Sequence, residues 1–402
     1  MICCASPGKT ADCLNTAYIQ ELSERLQVAI RLESPDTLLE ARGRAQRLGH
    51  HQADAWLCAQ LGGVAFEGEG IDAALVWYER GLKASPSVCA PWIGLAYAAV
   101  GERNPERWER ALSCLQDTHS ASLNKADSAQ ARALLGCDAV RRGAGAELEE
   151  ILGIANELAK AGLLWPAWHV HMAVAMTHHW AGKEEAREEA LRGAFSLAEE
   201  HDLARAFVWS GLSLAWLLRG TDRVAEADIH LSEVLAAAEA LGDHRLLSAT
   251  LALGCDLSAE LGQAQGLSDR LRLRATLASQ VGEHSAQLNY LYQAFMASFR
   301  ARLVGSGSLG EEFAEALLGS NEDWGEGLDL QECVRTLVAA EAPAHAQQVA
   351  LRLSQRAFRS GRRRDAASWL VETARLSRSL RDLPQANEML DEAIQISKAY
   401  RL

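Results

Sequence analysis

The chain has 402 residues, of which 49% are hydrophobic and 23% are charged, values typical of folded proteins and unlike those of disordered or fibrous chains. Its formal net charge of −13 disfavours binding to the phosphate backbone, so nucleic acid is not predicted as a partner. The nine scattered cysteines include no C-x-x-C pair, and they encode neither a disulfide framework nor a zinc site.

The N-terminal segment is predicted to be a flexible tail over residues 1–20. It lacks the apolar run of a secretory signal, and no later segment reaches the roughly 18 apolar residues of a membrane span. The sequence therefore predicts a cytoplasmic protein without a membrane partner. Ser6 to Thr10 end like a phosphate-binding loop, but Cys3 stands where its first glycine belongs and no buried strand precedes it, so nucleotide binding is not predicted.

Helix-forming residues dominate the rest of the chain. No proline occurs between Pro166 and Pro343, and the alternating β-branched runs of strands are missing. The predicted helices are interrupted at recurring glycines, Gly182, Gly220, Gly262 and Gly305. These glycines follow one another at about 40 residues, a period typical of paired helices stacked into a solenoid. The sequence thus predicts an all-α array.

The best-defined repeat runs from Ala55 to Val88. Its marker residues are Leu61, Gly62 and Ala65 on one predicted helix, then Ala74, Tyr78 and Gly81 on the next, with Pro86 at the end. Further units open at Trp92, Trp209 and Leu353. This pattern resembles the tetratricopeptide repeat (TPR) family, in the irregular bacterial form with longer repeats. The resemblance implies a right-handed α-solenoid of helix-turn-helix repeats, whose first helices line a concave groove.

Two stretches subdivide the predicted array. The run between Asp117 and Asp127 is polar and turn-rich, and residues 308–332 hold acidic residues but no basic one. We therefore predict N-terminal repeats over 21–125, central repeats over 126–304, an acidic glycine-rich loop region over 305–330, and C-terminal repeats with a capping helix over 331–402.

A histidine cluster is the strongest candidate for chemistry. His171 and His178 share a helix face and could hold a metal with a third ligand, but no H-E-x-x-H or supporting carboxylate pattern accompanies them. The repeat register instead predicts packed side chains, with no metal and no cofactor. Because motifs of catalysis are also missing, no catalytic residue is predicted and an enzyme is disfavoured, His169 and His179 being the first suspects in that case.

The resemblance places partner binding on the first helices. Registers counted back from Gly182, Gly305 and Gly361 direct these residues toward the groove: His169, Met176, His179, Tyr292, Phe295, Phe299, Arg302, Arg352, Gln355 and Arg359. Aromatic and methionine side chains offer apolar contact, and arginines offer charge-assisted hydrogen bonds. Two alternatives stay open: the aromatic residues could belong to the core between repeats, and the arginines could pair with the acidic residues 308–332.

These observations predict a non-enzymatic scaffold that binds a protein or peptide segment in the groove. A cationic strip of Arg302, Arg352 and Arg359 would favour an acidic segment. The alternative function is a regulator that responds to a ligand or signalling peptide and controls a separate effector chain. A TPR-like scaffold supports both functions equally.

Overall fold

The structure, a computed structural model, describes residues 35–102, 104–118, 125–143, 148–320 and 330–400. Over these residues it consists of nineteen helices and turns without a strand, which confirms the all-α prediction. The predicted tail over 1–20 and the segment Ser6 to Thr10 lie outside the described residues. The chain divides into two compact units, Met1–Leu217 and Leu218–Leu402, which are described in turn.

The first unit is built from consecutive helices. They are α1 (Pro35–Arg47), α2 (His51–Gly68), α3 (Ile71–Ala84), α4 (Cys89–Glu102), α5 (Pro105–Thr118), α6 (Lys125–Arg141), α7 (Leu148–Lys160), α8 (Leu164–Trp180), α9 (Glu184–Glu200) and α10 (Ala204–Gly220), the last three residues of which belong to the second unit. Helices adjacent in sequence pack together, α2 on α3, α4 on α5 and α8 on α9. This pairing is the one that the TPR resemblance implies.

The second unit continues the pattern. Its helices are α11 (Val224–Leu241), α12 (His244–Glu260), α13 (Ala264–Gln280), α14 (His284–Arg300), α15 (Ser306–Gly319), α16 (Leu330–Ala339), α17 (Pro343–Arg359), α18 (Arg363–Ser379) and α19 (Leu383–Tyr400). Here α13 packs on α14, α17 on α18, and α18 on α19. Paired TPR-like helices therefore form both units.

Helix starts recur with a constant step. From α8 to α14 a helix begins every 20 residues, from Leu164 to His284, so that one pair spans 40 residues. The period of about 40 residues inferred from the glycines is therefore confirmed. A residue with left-handed φ closes each helix of this series, at Gly162, Gly182, Asp202, Asp222, Gly242, Gly262, Gly282 and Arg302. Such a residue lets the last carbonyl groups find hydrogen-bond donors in the turn.

Arg302 corrects the predicted register in the second unit. It was expected on a first helix, but it lies in the turn after α14 with φ 54°, at the place that Gly282 takes one helix earlier. Gly305, which served as the marker, instead precedes α15 as its N-cap residue. The register counted from Gly305 is therefore three residues late. The cause is that a left-handed turn position accepts residues other than glycine, here arginine.

Residues 306–319 also differ from the prediction, which assigned 305–330 to a loop. They form α15, because Leu309, Phe313 and Leu317 recur at helical spacing along one face. Phe313 and Leu317 are fully buried, and the Phe313 ring stacks on Phe295 of α14 with centroids 6.3 Å apart. This burial outweighs the helix cost of about 1 kcal/mol for each glycine in the segment. Residues 321–329 lie outside the described part of the chain.

A clamp around Tyr78 explains the glycines of the first repeats. The buried Tyr78 ring of α3 lies between Gly62 of α2 and Gly94 of α4. A Cβ atom at either glycine would stand 2.3 Å from the ring, closer than real Cβ contacts allow. The helices can therefore cross at this distance only with glycine at both places. The packing confirms the TPR-like assignment of Gly62 and Tyr78.

Candidate functional site

A cavity of about 380 Å³ opens among the first helices of four successive pairs in the first unit. Its wall includes Gln60 and Gly63 from α2, Tyr97 from α4, Asp127 from α6, and Trp165 and His169 from α8. Such a volume is at the lower end of the range found for ligand pockets, about 300 to 1,000 Å³. The cavity can accept a side chain of a partner or a small molecule.

Aromatic rings hold one side of the cavity in place. His169 stacks on Tyr97 with ring centroids 4.4 Å apart and planes inclined by 13°. Edge contacts from Phe66 and Trp168, with centroids 5.2 and 5.1 Å away, complete the packing around the imidazole. Because several neighbours restrict each ring, the wall is preorganised for contact with an apolar or aromatic group.

Two polar atoms in this wall have no hydrogen-bond partner among the described residues. They are the hydroxyl of Tyr97 and Nε2 of His169, both buried. Burial lowers the pKa of His169 to about 3, so the imidazole is neutral at pH 7. Burial, with smaller effects of Cys137 and Asp127, raises the pKa of Tyr97 well above its usual range. Since a buried polar group without a partner costs about 1 to 3 kcal/mol, both atoms favour a ligand that would satisfy them.

Asp127 adds a charged group to the same wall. It lies in the first turn of α6, is 5% exposed, and accepts a hydrogen bond from Nε1 of Trp56 at 3.1 Å. The positive end of the helix favours its ionised form. Among the described residues of the wall, Asp127 carries the single formal charge at neutral pH. The cavity is therefore aromatic and anionic.

Only one of the three predicted site residues on α8 lines the cavity. This residue is His169, whereas Met176 and His179 are half-buried elsewhere on the helix. Nδ1 of His179 lies 3.9 Å from a carboxylate oxygen of Glu184. His171 and His178 are packed as predicted, the latter 9% exposed, and burial lowers the pKa of both.

The aromatic residues predicted for the groove of the second unit lie at its core. Phe295 is fully buried, and Tyr292 and Phe299 pack partly buried against the same cluster. The Tyr292 hydroxyl also donates to a carboxylate oxygen of Glu332 at 3.3 Å. The alternative that assigned these aromatics to the core between repeats thus describes Phe295, whose side chain offers no surface to a partner.

The three predicted arginines have different environments. Arg302 lies in the turn, and Arg359 is exposed at the end of α17, as is the predicted Gln355 one turn earlier. Arg352 donates to the backbone carbonyl groups of residues 318 and 320, the latter at 2.6 Å, and so binds the C-terminal end of α15. Its guanidinium is occupied by the protein itself. Arg300, rather than Arg302, pairs with Glu332 at 3.0 Å.

Sequence analysis did not find Tyr97, Asp127 or Trp165. A signal for Tyr97 was available, since it follows Gly94 by three residues as Ala65 follows Gly62, and so takes the equivalent place on a first helix. Asp127 resembled an ordinary acidic residue at a helix start. Its role depends on the neighbouring helices, which the local sequence does not reveal.

Two searches of the described residues gave negative results. No helix among them combines the length and the apolar composition needed to cross a bilayer. No group of three or more His, Cys, Asp or Glu side chains in this part of the chain could hold a metal ion.

Comparisons with known proteins found similarity in fold. No family model and no curated protein sequence matches the chain. Among solved structures, it is similar to PilW, a type IV pilus biogenesis factor (17% identity, 59% of this chain and 98% of that chain, TM-score 0.36). It is also similar to a signal transduction ATPase with a tetratricopeptide repeat sensor from Pyrococcus horikoshii (13%, 87% and 53%, TM-score 0.41), and to the apo form of RapI (12%, 91% and 98%, TM-score 0.40). At such TM-scores these likenesses carry no argument about function.

Proposed function

We propose that this chain is a non-enzymatic binding protein that holds a protein or peptide segment against its first helices. The observation that carries the proposal is the cavity of the first unit, whose wall comes from α2, α4, α6 and α8. A rigid aromatic wall with a few polar atoms is typical of places where a partner inserts an anchoring side chain. We place the main contact there rather than at Arg352, because α15 already occupies that guanidinium.

The second candidate function is a regulator that responds to a small ligand and controls a separate effector chain. It is favoured by the same cavity, because an occupant would touch first helices from four pairs at once. A ligand that binds one arrangement of these helices more tightly than another would shift the population toward it. The effector would then recognise the arrangement that the ligand stabilises.

The two candidates can be tested by filling the cavity. Gly63 lines it, and a Cβ atom added there meets no atom within 4 Å, so Gly63→Phe should block the cavity without disturbing the core. Gly153 of α7 is a matched control, since its Cβ position is equally open and it lies outside the wall. Both variants should keep the helical circular dichroism spectrum and melting temperature of the wild type.

The measurement is a quantitative pull-down from the native host with full-length bait, followed by mass spectrometry. We expect a protein partner to be retained by the wild type and by Gly63's control, Gly153→Phe, but lost by Gly63→Phe. Equal recovery with all three baits would contradict the cavity as the site. Native mass spectrometry of the purified chain tests the second candidate, which requires a small ligand carried by the wild type and by Gly153→Phe only.

A further inference from the structure

We infer that the cavity of the first unit takes a positively charged group, an alkylammonium or a guanidinium, and that this group anchors the occupant. The inference rests on the proposed function and deepens it, because it names the chemistry of the occupant. Three features of the wall carry it: its charge, its aromatic faces and its unused hydrogen-bonding atoms.

The charge of the wall comes from Asp127. This carboxylate is 5% exposed, and its described side-chain hydrogen bond comes from the neutral indole of Trp56. No lysine or arginine is among the described residues of the wall. A buried carboxylate attracts a cation more strongly than an exposed one because little water screens it. An anionic occupant would be repelled by the same charge.

The aromatic faces suit the same group. Tyr78, Tyr97 and Trp165 line the cavity, and the electron-rich face of such a ring attracts a cation within about 6 Å of its centre. The methylene groups of a lysine or arginine side chain would pack against the rings at the same time. A neutral apolar group would gain the packing but not the attraction to Asp127.

The hydrogen-bonding atoms match the donors of a cation. The neutral imidazole of His169 can accept at Nε2 when its proton is on Nδ1, and the Tyr97 oxygen can accept as well. An ammonium group carries three donors and a guanidinium five. Together with Asp127, these two atoms form an acceptor set that a basic group satisfies and a carboxylate does not.

The test begins with an unbiased peptide display library selected on the purified full-length chain. We expect the enriched peptides to share a lysine or arginine. Replacing that residue by glutamine in a synthetic peptide should weaken binding to the wild type about tenfold or more, as for other close charge pairs that exclude water. Calorimetry or fluorescence anisotropy gives the dissociation constants.

Two variants show whether the charge acts at this cavity. Asp127→Asn removes the negative charge but keeps an oxygen that can accept from Trp56, so the fold should be retained. With this variant the basic peptide and its glutamine form should bind equally well. Gly63→Phe should abolish binding of both peptides, whereas Gly153→Phe should leave their dissociation constants unchanged.

The occupant could be a free amine instead of a side chain, and a charge series distinguishes the two sources. The probes are phenethylamine, 2-phenylethanol and phenylacetate, titrated into the wild type and Asp127→Asn. Binding of phenethylamine alone, dependent on Asp127, together with no selected peptide, supports the charge inference and assigns a small ligand. Selected peptides that need the open cavity but are indifferent to Lys→Gln and to Asp127→Asn overturn the inference and leave the proposed function standing. Absence of any peptide and any amine binding overturns both.

Discussion

The second unit supplies partners for its buried arginine Arg270, whereas the first unit leaves Tyr97 and His169 facing a cavity. The Arg270 guanidinium lies 2.8 Å from Asp228 of α11 and donates at 2.6 Å to the carbonyl of Gly254 and the hydroxyl of Ser258, both on α12. In the first unit the Tyr97 hydroxyl and Nε2 of His169 have no such partner within the described chain.

This difference separates polar groups that hold helices together from those available to an occupant. Arg270 connects α11, α12 and α13, and Arg352 connects α17 with α15. Removing such a group should damage the fold. Tyr97 and His169 contribute packing through their rings, while their polar atoms contribute little to the folded state alone. Changing those atoms should affect binding more than stability.

The largest effect is expected from Arg270→Leu in the second unit. Side-chain exposure is 12% for Arg270 and 13% for Asp228, so the change leaves a largely buried carboxylate without its counter-charge. We expect the free energy of unfolding to fall by about 3 to 5 kcal/mol, measured by urea denaturation. Adding Asp228→Asn should recover part of the loss. A loss below 1 kcal/mol would show that the pair is not structural.

The next effect concerns the Tyr78 clamp in the first unit. Gly94→Ala places a methyl group 2.3 Å from the Tyr78 ring, and we expect a loss of about 1 to 3 kcal/mol from overpacking. The matched control is Gly63→Ala, one helix earlier, where the Cβ position is open. It should gain about 0.5 to 1 kcal/mol from better helix propensity. Equal shifts in melting temperature for the two variants would contradict the clamp.

An acid-dependent effect is expected from His169. Its pKa falls from 6.5 to about 3 on burial, so protons bind preferentially to the unfolded chain. The stability that the neutral side chain contributes is therefore complete above about pH 6.5 and is lost progressively as the pH falls toward 3. At pH 5 the loss should be about 2 kcal/mol relative to pH 7.5. Urea denaturation of His169→Phe at both pH values should show a smaller loss, and an unchanged pH dependence would refute the role of His169.

The smallest effect sharpens the comparison between two tyrosines. Tyr97→Phe should leave stability within about 0.5 kcal/mol of the wild type or raise it, because the hydroxyl has no partner among the described residues. Tyr292→Phe in the second unit should cost about 0.5 to 1.5 kcal/mol through the hydrogen bond to Glu332. Thermal unfolding of both variants gives the comparison, and a larger loss for Tyr97→Phe would reverse it.

Much of the fold followed from local pattern. The alternation of helix-forming stretches and turn residues predicted paired helices with a period of about 40 residues, and the Leu61, Gly62 and Tyr78 pattern located the first pair. The prediction failed where glycine was taken as the sole turn marker. Arg302 holds a left-handed turn, and the glycines of α15 are helical because Phe313 and Leu317 are buried.

The sequence by itself determined the all-α class, the helix pairing and the residues that small crossings require, because these depend on neighbours three to twenty residues away. Only the tertiary structure decided that Asp127, Tyr97 and His169 line one cavity, and that Arg352 binds the end of α15. These side chains come from different helices, and their proximity depends on how the helix pairs cross. Core packing over the whole unit sets those crossings, and no short stretch of sequence contains that information.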